Sequence, residues 1–95
     1  MAAYLFANIN IFDQKTYDNF NSQVQPTIEK FGGRFLVRAG KHETLEGTWM
    51  PTRIVLIEFP DMAALKSWYQ SSDYAPLIQL RHASAYCDVV TLQGV

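Results

Sequence analysis

The chain has 95 residues and a mass of 10.8 kDa, enough for one domain spanning residues 1–95 and too little for a second core. Hydrophobic residues make up 48% and charged residues 18%, and eight Lys and Arg stand against nine Asp and Glu; this excludes disorder and leaves no basic stripe for a nucleic acid. No apolar run approaches the ~18 residues of a membrane span, no signal pattern opens the chain at Met1 to Phe6, and Cys87 is the single cysteine, so the expectation is a cytoplasmic protein with no internal disulfide and no cysteine-built metal site.

Residues 3–12 alternate in character, with Leu5, Ala7, Ile9 and Ile11 on one face and Tyr4, Phe6, Asn8, Asn10 and Phe12 on the other, which predicts a strand. Asp13 is placed to cap a helix, in which Tyr17, Phe20, Val24, Ile28 and Phe31 recur at helical spacing. Pro26 falls inside that run and should kink or divide it. Gly32 and Gly33 stop it. Residues 34–40 predict a second strand, with Phe35, Val37 and Ala39 opposite Arg34, Leu36 and Arg38. A polar connection follows over 41–51, then a β-branched, nearly all-apolar third strand over 52–59 that belongs in the sheet interior. Asp61 caps a second helix carrying Leu65, Trp68 and Tyr69. Ser71-Ser72-Asp73 breaks it and starts a short helix from about Tyr74 to His82, with Pro76 tolerated in its first turn. Residues 85–92 predict a fourth strand.

The order β-α-β-β-α-β, with right-handed crossovers, predicts an α+β ferredoxin-like sandwich with an antiparallel four-stranded sheet. Both helices then cover one sheet face. The other face, carrying Tyr4, Phe6, Leu36, Ile54 and Leu56 beside Asn8, Arg38 and Glu58, is too apolar for water and too polar for a plain core. A second copy across a two-fold axis meets both demands, so the expected assembly is a homodimer forming a dimeric α/β barrel with room for a small molecule.

Several stretches carry a resemblance to a known family: Asp13 followed by Tyr17, KFGGRFLVRAG at 30–40, LEGTWMPTRIVLIEF at 45–59, SWYQSSDY at 67–74, Arg81, and the closing VTLQGV. On these residues, over nearly its whole length, the chain resembles the DUF1330 family of the dimeric α/β-barrel superfamily. It departs at Phe20, where relatives often carry a second tyrosine, and at Thr48, where an acidic residue is common. The resemblance implies a ferredoxin-like dimer and no particular reaction. The wider superfamily includes cofactor-independent monooxygenases, lactone isomerases and haem enzymes, so the fold alone does not decide the chemistry.

The arginines are the sharpest chemical feature. There are four, Arg34, Arg38, Arg53 and Arg81, and Arg38, Arg53 and Arg81 fall on matching positions of the resemblance. A guanidinium fork binds a carboxylate bidentately, which lysine does not. One reading is a clamp for a carboxylate or enolate; the other is pairing within the chain to Glu58, Glu46 or Asp88. Arg38 is expected on the open face beside Glu58. Tyr74 and Trp49 are expected to wall a ligand site together with Asn8. Glu58 and His42 are the candidate general bases for a cofactor-independent oxygenase or isomerase. Two histidines without ligand spacing predict no metal, and the lack of a phosphate-cradling glycine loop predicts no nucleotide cofactor.

Overall fold

The computed structural model describes residues 1–95. Its elements are β1 (Ala3–Ile11), α1 (Gln14–Asn21), α2 (Val24–Lys30), β2 (Arg34–Arg38), β3 (Ile54–Phe59), α3 (Met62–Tyr69), α4 (Ala75–His82) and β4 (Ala85–Gln93). The strands form one antiparallel sheet in the order β2-β3-β1-β4. This is the ferredoxin-like sandwich expected, with each helical connection in two pieces.

Local chemistry explains the breaks. The Asp13 carboxylate accepts from the Thr16 amide at 3.2 Å and the Thr16 hydroxyl at 2.8 Å, and these bonds hold its pKa below the ordinary value. Asp61 accepts from the Ala64 amide at 2.8 Å and caps α3 in the same way. The first helical run divides at Ser22 and Gln23, so that Pro26 sits in the opening turn of α2, where its missing amide costs no helical bond. Gly33 has no room for a side chain: a Cβ there would lie 2.7 Å from both Ile28 and Phe59. Glycine thus lets α2 descend onto β3.

The core lies between sheet and helices. Ala3, Leu5, Ala7 and Ile9 of β1 and Val55, Ile57 and Phe59 of β3 point into it, against Tyr17, Phe20, Val24, Ile28, Leu65 and Trp68. The Trp68 indole stacks on Tyr74 at 4.1 Å between centroids, and its Nε1–H donates to the Thr27 hydroxyl at 3.0 Å. These contacts tie α3 to α2 and to the start of α4.

The opposite sheet face is bare. The molecule measures 35 × 34 × 17 Å and exposes 6025 Å², roughly a tenth more than the ~5,500 Å² expected at this mass. Leu36, Val90 and Leu92 are 42%, 51% and 47% exposed.

One expectation about the sheet is corrected. Phe35 pairs with Ile57, but Val37 pairs with Leu56 and Arg38 with Val55, so Leu36 is an extra residue in a β-bulge. The inserted residue reverses the alternation beyond it. Val37 turns to the open face, and Arg38 turns to the helix face.

Candidate functional site

Beneath the helices lies a cavity of ≈ 40 Å³, room for roughly two or three waters. Leu5, Ala7 and Ile9 of β1, Val55 and Ile57 of β3 and Val89 of β4 form its floor. Tyr17, Phe20, Phe35, Trp68, Tyr69 and Tyr74 form aromatic walls. Only Asn21, Arg38 and Arg81 add amide or charged groups.

Arg38 reaches this cavity because of the bulge. Its guanidinium lies over the Phe35 ring, 4.2 Å from the centroid, and donates to Gln25 Oε1 at 3.0 Å, Asn21 O at 2.8 Å and Asn21 Oδ1 at 3.0 Å. All three acceptors are neutral. Arg81, near the end of α4, is only 5% exposed. The Tyr74 hydroxyl and the Cys87 thiol are its neighbours, and its Nε has no hydrogen-bond partner. Arg53 precedes β3 on the same face. Its guanidinium carbon stands 5.2 Å from the centroid of Tyr17, and its Nε is also buried without a partner.

These surroundings fix the protonation states. Burial pushes the Tyr74 hydroxyl up to about 12, with Arg81 working against it. Burial likewise raises Tyr17, opposed chiefly by Arg53. Both phenols are therefore neutral donors near neutral pH. Burial opposes the Arg81 charge, yet Tyr74 and Cys87 raise its pKa on balance, so the guanidinium keeps its proton.

The ion pairs of the chain lie elsewhere: Lys30 with Asp73 at 2.8 Å and Arg34 with Glu58 at 2.9 Å. Glu58 thus meets Arg34, not Arg38, and it does so on the open face, where Arg34 is its register partner. His42 lies in the exposed connection between β2 and β3, where Nε2 donates to the Pro51 carbonyl at 2.8 Å. Neither candidate base lines the cavity. Asn8 is on the open face, and its Oδ1 accepts from the Thr52 amide at 2.9 Å and the Arg53 amide at 3.3 Å. Trp49 is exposed, with its ring 6.3 Å from Phe6 of that same face. Of the residues singled out from the sequence, Arg38, Arg81 and Tyr74 line the cavity and Arg53 adjoins its Tyr17 wall. Tyr17 read as one of the apolar positions of a helix and as a carrier of the family resemblance; no sequence signal separates a wall of a cavity from a filled core.

The sequence matches the model of the family described as "Domain of unknown function (DUF1330)" over residues 2–95. No curated protein matches it. Among solved structures, the RPA0582 protein of unknown function from Rhodopseudomonas palustris aligns with a TM-score of 0.81 at 14% identity, over 99% of this chain and 82% of that one. SnoaB, a cofactor-independent oxygenase from Streptomyces nogalater, aligns at 0.71 and 9% identity, over 99% and 93%. A dimeric protein of unknown function and ferredoxin-like fold from Bacteroides fragilis aligns at 0.56 and 14% identity, over 98% and 96%. At such identities these likenesses are likenesses of fold.

Proposed function

This chain belongs to the DUF1330 family, and from that premise we propose that it binds a small carboxylate- or enolate-bearing molecule in the cavity under its helices, with Arg38 on the anionic end. The family description names no activity, so the reading rests on the cavity. The carrying observation is that Arg38, Arg53 and Arg81 gather on one sheet face and none of them meets a carboxylate. A cation taken from water without a counter-ion is costly. An acidic ligand with an apolar body supplies the missing charge, and its body matches the apolar lining once the cavity widens beyond ≈ 40 Å³.

The open face, in the same proposal, closes against a second copy of the chain. Its exposed Leu36, Val90 and Leu92 and the excess of exposed surface support this. A second reading, a cofactor-independent monooxygenase or isomerase, draws on the fold shared with SnoaB. Glu58 and His42, proposed as its bases, are engaged outside the cavity, which weighs against it.

The test is a thermal-shift screen of small carboxylates on the wild type and Arg38→Lys. Carboxylates are expected to raise the wild-type midpoint and to act more weakly on the variant, which keeps the charge and loses the fork. An acid screen that moves neither protein rejects the binding reading. Sedimentation at micromolar concentration is expected to give twice the chain mass; a monomer rejects the dimer.

A further inference from the structure

Two arginines reach the cavity from opposite edges of the sheet. Arg38 ends β2, one edge strand, and Arg81 stands beside Cys87 of β4, the other edge. The register lines Arg38 up with Val55, Ala7 and Val89 across the sheet. At about 4.8 Å per strand the two ends of that row are roughly 14 Å apart. Everything between them on the floor is aliphatic, and the walls above are aromatic.

Both guanidiniums are under-used. Arg38 is held by three neutral oxygens. Arg81 is 5% exposed, has neutral neighbours, and leaves Nε without a partner. A ligand with a single acidic end would satisfy one of them and leave the other as it is. Building on the acid-binding reading, we infer that the cavity takes a molecule with an anionic group at each end and a flat apolar middle, an aromatic dicarboxylate being its simplest form. Arg81 gives one end its free Nε–H. Arg38 exchanges amide and carbonyl acceptors for a carboxylate at the other, which turns charge–dipole bonds into a bidentate ion pair. Tyr17, Phe35, Trp68 and Tyr74 meet the flat middle.

At ≈ 40 Å³ the cavity is too small for an aromatic diacid, so it must widen to take one. Arg38 straps β2 to the corner between α1 and α2 through Asn21 and Gln25. A ligand that takes Arg38 for itself releases that corner, so recognition of the second anionic end and widening of the cavity are one event.

The experiment compares three probes by calorimetric titration: benzene-1,4-dicarboxylate, its monomethyl ester, and benzoate. The wild type is expected to bind the diacid about tenfold more tightly than the equally long monoester. Arg38→Gln is expected to bring the two within about twofold of each other, while Arg81→Lys weakens both. Equal affinity of diacid and monoester for the wild type overturns the two-ended site and leaves the acid-binding reading standing. Binding of none of the three probes overturns both. The wild-type comparison decides the matter even where a variant fails to fold.

Discussion

The two faces of the sheet are made by the same four strands, yet they treat polar groups differently. On the open face the half-buried polar side chains are answered within the chain, Glu58 by Arg34 and Asn8 by the amides of Thr52 and Arg53, while Asn10 and Asp88 are exposed to water. On the helix face, which is more deeply buried, Arg53 and Arg81 keep buried donors without partners and Arg38 has only neutral acceptors. Burial makes an unanswered group more expensive. The unsatisfied charges therefore lie on the side where they cost most. The dimer proposal answers the first face, and the acid-binding proposal answers the charges left open in the second.

Substitutions and pH sharpen this contrast. The helix face should dominate stability. Trp68→Ala removes the stack on Tyr74 and the bond to Thr27, and is expected to lower the unfolding free energy by about 3 to 5 kcal/mol in urea titrations. Alkali tests the same region through Tyr74. The folded state holds that phenolic proton to about 12, against 10.0 for the free side chain. The folded state thus binds the proton more tightly, so this stability is complete below pH 10 and is lost as pH rises toward 12. The expected loss is about 2 to 3 kcal/mol. Tyr74→Phe should remove that share of the alkaline dependence.

Arg81→Met tests whether the open charge is a burden on the empty protein. It keeps length and removes the cation, and is expected to raise the unfolding free energy by about 1 to 2 kcal/mol while weakening acid binding. A net destabilisation would mean that Arg81 is satisfied structurally, and the contrast between the faces would fail. The smallest effect belongs to the open face. Arg34→Ala breaks the pair with Glu58, but the arginine side chain is 71% exposed, so the expected change in urea midpoint corresponds to less than about 1 kcal/mol.

Much of this architecture was legible along the chain. Strict alternation in β1, the β-branched run of β3 and the aspartates at positions 13 and 61 mark their elements through physics that acts within a few residues. The site was legible only in part. The scarcity of arginines and their matching positions in the family resemblance pointed to Arg38, Arg53 and Arg81, but not to the layer that each would enter. The segment Arg34-Phe35-Leu36-Val37-Arg38 has three apolar residues between two cations, a pattern that fits an even strand and a bulged one equally well. Pairing with β3 chooses between them, and that contact is distant in sequence. Glu58 was matched with the wrong arginine for the same reason.

The bulge at Leu36 also bears on how such a protein changes over time. Removing that one residue would leave a regular ladder in which Val37 still pairs with Leu56 and Arg38 with Val55, each on the face it has now; straightening β2 with all five residues kept would instead return Val37 to the helix layer and Arg38 to the opposite face. Straightening exchanges no side chain for another, yet it would carry a cation from one side of the sheet to the other. Gain or loss of the bulge at constant length in a five-residue strand is thus a route by which relatives with near-identical composition place a cation on different faces of the sheet. A gap at Leu36 in an alignment marks a change of length that leaves Arg38 under the helices, whereas an ungapped strand can hide a change of face.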